Sequence, residues 1–366
     1  MRVRRTSMRT LKGVGALAGA LLVFGAVPVN AQVASPLQMG HYAPGVINIR
    51  DLVTPPPGLF VLWYNWGVGS DTYVDRNGNE LDSLNLSQLD PSLPDVTVDL
   101  KVKAFATVPA IAWSSKRTVL GGARYIAAVA PNFLVADVTF VADPGGPGFD
   151  SLPNRVVEGS NSGFSDLLVM PIGLSWAFGH FKNVTATDEE LAAMGFPPRR
   201  RVNLSLLYSF TAPTGRYETG ADDNLGLGFW THILQGFGYF YPFEHQATAL
   251  TAGVTYELNS SIKDVDVKPG NRLSLEWGVS QYLATWFELG VQGAHNWQTT
   301  DDSGDDVFWD PSVHDKKNTL LFMAGFWPVS QRLYVSAKYG FEYGLRQRFK
   351  NNNLMLNLIF VTNLLH

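Results

Sequence analysis

Residues 331–349 read QRLYVSAKYGFEYGLRQRF, and this stretch decides the fold because its side chains alternate in character. The odd positions carry apolar residues such as Leu333, Val335 and Phe341, whereas the even positions include Lys338 and Glu342. Successive side chains of a β-strand point to opposite faces, so the run predicts one apolar and one polar face. Its length is typical of a tilted membrane strand with an extension.

The same alternation recurs along the chain, most clearly at 201–211 and 271–279, and thirteen such runs occur between residues 58 and 364. Single-chain bacterial barrels have an even number of strands. Pro131 has no backbone N–H to donate to a ladder, so it predicts a bend within one long strand. We therefore predict an all-β fold, a transmembrane antiparallel β-barrel over residues 58–366 with twelve strands, or fourteen as the alternative.

The connections between the runs distinguish a barrel from a β-sandwich. Long polar stretches such as 182–200 and 299–317 contrast with tight turns such as 350–353. Short turns on one rim and long loops on the other are the arrangement of a membrane barrel. A sandwich rarely needs loops of this length between strands of this length.

The composition supports a sheet that faces lipid. The chain is 46% hydrophobic and contains 22 Phe, 13 Tyr and 10 Trp, yet no 18 consecutive apolar residues follow residue 31. A spanning helix is therefore not expected. The absence of cysteine excludes a disulfide, a thiolate metal site and a catalytic thiol.

Residues 1–31 have the layout of a secretory signal peptide. Five basic residues and no acid precede the apolar run 14–27, and the small residue Ala31 precedes the predicted cleavage site. The run is shorter than the ~20 residues that a spanning helix needs. Without this segment the chain has 23 basic and 32 acidic residues, a net charge of −9, which does not favour a nucleic-acid partner.

Residues 32–57 lack strand alternation, and their prolines predict an extended, stiff segment before the first strand. Tyr42, Arg50 and Asp51 supply hydrogen-bonding groups. The segment is either a plug that enters the barrel lumen or a flexible periplasmic tail, and the sequence favours neither. In a plug, we expect Arg50 and Asp51 to contact charges of the lumen and Tyr42 to pack on a solute.

Charged residues on the polar faces of the strands are predicted to face the lumen. They either line a solute path or, as is more usual in small barrels, pair with each other across a wet interior. The residues are Asp99, Lys101, Lys103, Arg272, Glu276, Glu288, Arg332, Lys338, Glu342 and Arg346. The dense carboxylates of 301–310 would suit calcium, although a solvated extracellular loop is the simpler interpretation.

Six short motifs carry a resemblance to a known family: GHYAPGVINIRD at 40–51, PPG at 56–58, APTGRY at 212–217, NLGLGFWT at 224–231, KPGN at 268–271 and EWG at 276–278. In their order and spacing the chain resembles the outer-membrane proteins of the meta-pathway phenol-degradation family, which are described as transporters. The resemblance covers essentially the whole chain after residue 31. It implies a β-barrel in the cell outer membrane and uptake of hydrophobic or aromatic compounds, and it brings no catalytic residues.

Catalysis is not expected, because the chain has neither a Gly-x-Ser-x-Gly elbow nor a His-Glu-x-x-His motif. No cofactor and no metal are predicted. The expected partners are a small hydrophobic or aromatic solute and the lipid and lipopolysaccharide of the outer membrane. The alternatives to a channel are a structural or adhesive barrel and a barrel hydrolase, and the oligomeric state stays open.

Overall fold

The structure, a computed structural model, describes residues 40–80, 83–85, 95–143, 155–181, 199–219, 224–307, 309–330 and 332–362. The predicted signal peptide, residues 1–31, lies outside the described residues. Within these ranges no helix is both long and apolar enough to cross a membrane. The same ranges contain a short 3-10 helix, Leu120–Gly122, and seventeen strands.

In chain order the strands are β1 (Gly58–Ser70), β2 (Tyr73–Val74), β3 (Ser83–Asn85), β4 (Asp95–Val119), β5 (Ala123–Ala130), β6 (Phe133–Asp143), β7 (Arg155–Phe164), β8 (Leu167–Phe178), β9 (Val202–Ala212), β10 (Thr231–Phe240), β11 (Thr248–Asn259), β12 (Arg272–Ala284), β13 (Phe287–Gln298), β14 (Lys316–Val329), β15 (Leu333–Arg346), β16 (Arg348–Phe349) and β17 (Asn352–Thr362).

The strands form a closed antiparallel barrel. β1 pairs with β17 on one side and with β4 on the other, so the first and last strands close the sheet. β5 and β6 both pair with β4 and are two halves of one strand, interrupted at Pro131 and Asn132. β7 and β8 are likewise halves of one strand, because they pair with β6 and β5. The wall therefore has twelve strands, which confirms the predicted count and the bend at Pro131.

The two ends of the barrel differ in their connections. At the end where β1 begins and β17 ends, the terminal rim, short turns at 120–122 and 285–286 join the strands. At the opposite end, the loop rim, the longer connections 213–230, 260–271 and 299–315 are found. Outer-membrane barrels have short periplasmic turns and long extracellular loops, so the loop rim faces the outside of the cell.

Three connections depart from the prediction. The tight turn before β17 lies at the loop rim, and the long connection between β8 and β9 lies at the terminal rim. Most of β7 lies in 143–163, a third stretch predicted to be a long loop, because the strand's sequence, RVVEGSNSGF, lacks apolar alternation. It pairs with β6 through its backbone, which any sequence can supply.

Side chains alternate between the lumen and the lipid side as the alternation predicts. Along β15, Ser336, Lys338 and Glu342 are at most 1% exposed, whereas Tyr339 and Phe341 are 56% and 42% exposed. The apolar face is therefore the outer face, which meets hydrocarbon, and the charges lie inside.

Arg332 and Arg346 do not face the lumen, contrary to the prediction. Arg332 lies in the turn between β14 and β15, where its backbone N–H donates to the carbonyl of Val329 and its side chain is exposed. Ahead of Arg346 the β14–β15 register shifts by one residue, and Gly344 has a φ of +57°. This bulge inverts the alternation and turns Arg346 outward.

Lys101 and Lys103 also lie on the outer face of β4, so the prediction that they face the lumen is wrong. The β1–β4 register pairs Val108 with Tyr64, whose hydroxyl reaches into the lumen, so even-numbered residues of β4 point inward. Lys103 is opposite Gly69, one residue from the end of β1 at the loop rim. Beyond the membrane both faces of a sheet are wet, so a charge there does not mark the lumen. The side chain of Asp99 lies outside the described residues.

Candidate functional site

Residues 40–57, the described part of the segment before β1, lie inside the barrel and are called here the lumen segment. At the loop rim, Nδ1 of His41 is 2.6 Å from Oγ1 of Thr231, the first residue of β10. At the terminal rim, Oγ1 of Thr54 is 2.8 Å from Oγ of Ser175. Hydrogen bonds join the segment to nine strands around the wall: β1, β8, β9, β10, β11, β12, β13, β15 and β17.

The lumen segment is folded into turns, whereas its prolines predict an extended chain. Gly45 has a φ of +87°, and a Cβ at this position would be 2.7 Å from Cδ1 of Leu321, so only glycine suits the turn and the close approach. Three backbone hydrogen bonds close the turns, from the N–H groups of Val46, Asp51 and Val53 to the carbonyls of Ala43, Asn48 and Arg50. Pro44 is the second residue of the Ala43–Val46 turn, a position that its fixed φ suits, and Pro55, Pro56 and Pro57 follow the turns.

The Lys338 ammonium holds the segment from one side of the lumen. Its Nζ atom donates to the carbonyl oxygens of Gly45, Val46 and Ile47 at 2.5, 2.7 and 2.9 Å. An ammonium has three hydrogens, and Lys338 is 1% exposed. Peptide dipoles of the segment therefore replace the water that would otherwise solvate this charge.

Two carboxylates of the wall accept hydrogen bonds from the other side of the segment. Glu276 accepts from the backbone N–H of Gly45 at 2.7 Å and from the hydroxyl of Tyr42. Glu257 accepts from the backbone N–H of Tyr42 at 2.9 Å. Tyr42 is thus bound to the wall through its hydroxyl and its backbone N–H, and its packing on a solute stays a prediction.

Arg50 attaches the segment to the wall near the terminal rim. Its Nε atom donates to Oε1 of Glu288 at 2.6 Å. Its terminal nitrogens donate to the carbonyls of Gln246 and Ala247 at 2.9 and 2.6 Å. The guanidinium carbon also lies 4.7 Å from the ring centroid of Tyr282, within the range of a cation–π contact.

Asp51 and Asn48 form hydrogen bonds with uncharged groups, in addition to the charged contacts of Lys338, Glu276 and Arg50. Asp51 accepts from the hydroxyl of Tyr64 and from the N–H of Asn48, each at 2.8 Å. Asn48 Oδ1 accepts from Oγ of Ser336 at 2.7 Å and from Nδ2 of Asn357 at 2.9 Å. Asp51 therefore forms hydrogen bonds with neutral groups, and the lumen cation Lys338 is close enough to interact with its carboxylate electrostatically.

A second ionic network lies toward the loop rim of the lumen. Asp315 accepts from Arg272 and from Arg348, each at 2.6 Å. Lys317 donates to Glu342 at 2.8 Å. All five residues are buried, so each charge depends on its partner for compensation. Arg272 and Glu342, both predicted to face the lumen, thus pair with other residues of the wall.

Replacing Asp315 with Asn is expected to destabilise the barrel by about 3–5 kcal/mol, because two buried guanidinium groups lose their counter-charge. Unfolding by urea in lipid vesicles measures the change. The control is Asp310→Asn, since Asp310 lies at the surface, 3.5 Å from Arg76, and solvent screens this pair, so a much smaller loss is expected. Equal losses of stability in the two variants would contradict the role assigned to Asp315.

Several residues of these networks have no clear signal in the sequence. Asp315 and Lys317 lie in 299–317, which is predicted to be a loop, although β14 already begins at Lys316. Continuing the period of two of β14 backward from Thr319, which is buried, would have placed Lys317 and Asp315 on the inner face. Asp166, which lies 2.9 Å from Nε2 of His41, sits at the break between β7 and β8, and no local pattern marks it.

The acidic stretch 301–310 makes contacts within the protein. Asp302 is buried and accepts from Nε1 of Trp309 at 2.8 Å and from the backbone N–H of Gly270 at 2.7 Å. In the part of the chain that the structure describes, no three His, Asp or Glu side chains are close enough together to hold a metal ion.

A closed twelve-strand barrel with an apolar outer face and a charged inner face defines an outer-membrane β-barrel protein. Among solved structures, the chain is similar to the COG4313 outer membrane channel from Pseudomonas putida F1, with a TM-score of 0.59 and 14% identity over 86% of this chain and 100% of that chain. A FadL homologue from Pseudomonas aeruginosa has a TM-score of 0.38 and 11% identity, over 82% of this chain and 90% of that chain. The likeness to the COG4313 channel concerns the fold alone.

The family is shown by the sequence match. The family model described as "Putative MetA-pathway of phenol degradation" matches residues 87–358, which is most of the chain. The protein therefore belongs to this family, which confirms the resemblance carried by the six motifs. No match is found among curated proteins.

Proposed function

We propose that this protein is an outer-membrane channel for the passive uptake of small hydrophobic compounds, aromatic ones included, and that the lumen segment is its plug. The proposal rests on one observation: the segment occupies the interior from rim to rim, held by hydrogen bonds and ion pairs. One cavity beside it, lined by Ile49, Tyr239 and Gln292 among others, has a volume of about 10 Å³, room for about one water molecule. A solute therefore passes when the segment moves.

The lining of the lumen supports a hydrophobic solute. Phe237, Tyr239 and Tyr241 form a buried apolar cluster, and Ile47 and Leu52 of the lumen segment pack against it. Movement of the segment uncovers these rings. Ring–ring contacts contribute about 0.5–1.5 kcal/mol beyond the burial of area, so the exposed cluster favours an aromatic solute.

Membership of the family supports phenolic compounds as solutes. The family description refers to phenol degradation, and a channel that admits phenolic compounds would supply such a pathway. Passage down a concentration gradient needs no catalytic group, cofactor or energy source, and the width and polarity of the lining set the selectivity. We also propose that residues 1–31 are removed on export and that the outer face contacts lipid and lipopolysaccharide.

Solute uptake by whole cells tests the proposal. A strain that lacks the gene is compared with the same strain carrying the gene on a plasmid, with labelled phenol, toluene and succinate at limiting concentrations. Uptake of phenol or toluene should fall severalfold without the gene, whereas uptake of succinate, a polar control, should not change. Equal uptake of both aromatic compounds by the two strains would refute the proposed function.

A further inference from the structure

A basic cleft lies on the barrel wall at the loop rim. It has a volume of about 370 Å³ and lies between the end of β15 and the loop that follows β1. Lys316, Arg346 and Lys350 line it, together with Glu80 and Tyr343. These side chains carry three positive charges against one negative charge, so the cleft is suited to an anion.

Two of the three cations have no partner in the part of the chain that the structure describes. Lys350 donates to Oε1 of Glu80 at 2.6 Å, so these two charges compensate each other. The side chains of Lys316 and Arg346 make no hydrogen bond and no ion pair within the described residues. They are opposite each other in the β14–β15 register, where the bulge at Gly344 turns Arg346 outward. Two uncompensated charges are thus held side by side on the outer wall.

The depth of this pair coincides with the membrane surface. Trp297 is opposite Lys316 in the β13–β14 register, and Tyr343, 42% exposed, lies three residues before Arg346. Phe341, also 42% exposed, follows toward the membrane interior. Outward Trp and Tyr rings mark the depth of the lipid headgroups. The two cations therefore lie at the outer edge of the aromatic belt, at the level of headgroup phosphates.

We propose that this cleft binds a phosphate group of lipid A, the phosphorylated glycolipid of the outer leaflet. The inference rests on the outer-membrane location and is independent of solute transport. The Arg346 guanidinium can pair with a phosphate through two parallel N–H···O bonds, and Lys316 supplies a second, point-like charge. The aromatic surface below receives the acyl chains. Acyl chains pack on this apolar surface, whereas a free anion gains nothing from it, so the proposed occupant is a lipid.

Binding of purified lipid A to the purified protein in detergent tests this site. The variant Lys316→Gln/Arg346→Gln should bind diphosphoryl lipid A about tenfold more weakly than the unmodified protein, or worse, because each cation near a membrane surface contributes severalfold to affinity. The matched control, Lys263→Gln/Arg332→Gln, also removes two positive charges, one in a loop and one in a turn away from the cleft, and should bind normally. The shift of each variant between heated and unheated samples in gel electrophoresis verifies that the barrel has folded.

Two further arms use the unmodified protein and do not depend on a variant. Lipid A without phosphates should bind about tenfold more weakly, and inorganic phosphate at millimolar concentration should not displace diphosphoryl lipid A. Equal binding of the two forms of lipid A, or equal binding by Lys316→Gln/Arg346→Gln and the unmodified protein, would overturn the proposal. Displacement by inorganic phosphate would also overturn it, because it would identify a simple anion site. Uptake of aromatic solutes should be unchanged in Lys316→Gln/Arg346→Gln. The lipid A site and the proposed channel are therefore tested independently of each other.

Discussion

Locking the lumen segment to the barrel wall is expected to abolish solute uptake. The chain has no cysteine, so the variant Asn48→Cys/Ser336→Cys contains only the two introduced thiols. Oδ1 of Asn48 and Oγ of Ser336 are 2.7 Å apart, so the two side chains meet, and loss of free thiol verifies the disulfide before uptake is measured. Oxidation holds the segment in the lumen, and uptake of phenol should fall by about tenfold or more, since a closed constriction admits no solute. Dithiothreitol should restore it.

A second disulfide controls for the cross-link itself. Gln235 and Thr255 are directly opposite each other on β10 and β11, with Nε2 of Gln235 3.3 Å from Oγ1 of Thr255. The variant Gln235→Cys/Thr255→Cys closes a bond within the wall and leaves the lumen segment free, so oxidation should not change uptake. If the oxidised Asn48→Cys/Ser336→Cys variant takes up phenol as fast as its reduced form, solutes pass without movement of the segment and the plug is disproved.

Deleting residues 40–54 is expected to open the lumen and raise single-channel conductance in planar bilayers by about tenfold or more. A barrel of twelve strands encloses more space than the side chains of its wall fill. Glu257, Glu276 and Lys338 lose their partners in the segment, but water enters and solvates them, so the barrel itself should remain folded.

The conductance experiment includes a rescue. A synthetic peptide with the sequence of residues 40–54, added to the deletion variant, should reduce the conductance again. The residues removed lie after the predicted signal peptide, so export should continue. A deletion variant that reaches the membrane and conducts like the unmodified protein would mean that the segment does not limit passage, whatever its position in the lumen.

Local alternation predicted most of the wall but not every lumen residue. Lys338 and Glu342 lie on the inner face because the period of two is unbroken from β15's first residue to Tyr343. Arg346 departs from the pattern because one extra residue at Gly344 inverts the alternation. The energy of such a bulge depends on the partner strand, so the local sequence does not predict it. Lys103 also departs from the pattern, because the outer face of the sheet is wet beyond the membrane and can carry a charge there.

The class of fold, the twelve strands and the family can be predicted from the sequence, because alternation and short motifs are local properties of the chain. The position of residues 40–57 and the pairing of the charges depend on the tertiary structure. Lys338 binds the carbonyl of Gly45 across 293 positions of sequence, and Arg50 binds Glu288 across 238. No local pattern encodes contacts of this kind, since they exist only once the sheet has closed and its register has brought both partners to the same level of the lumen.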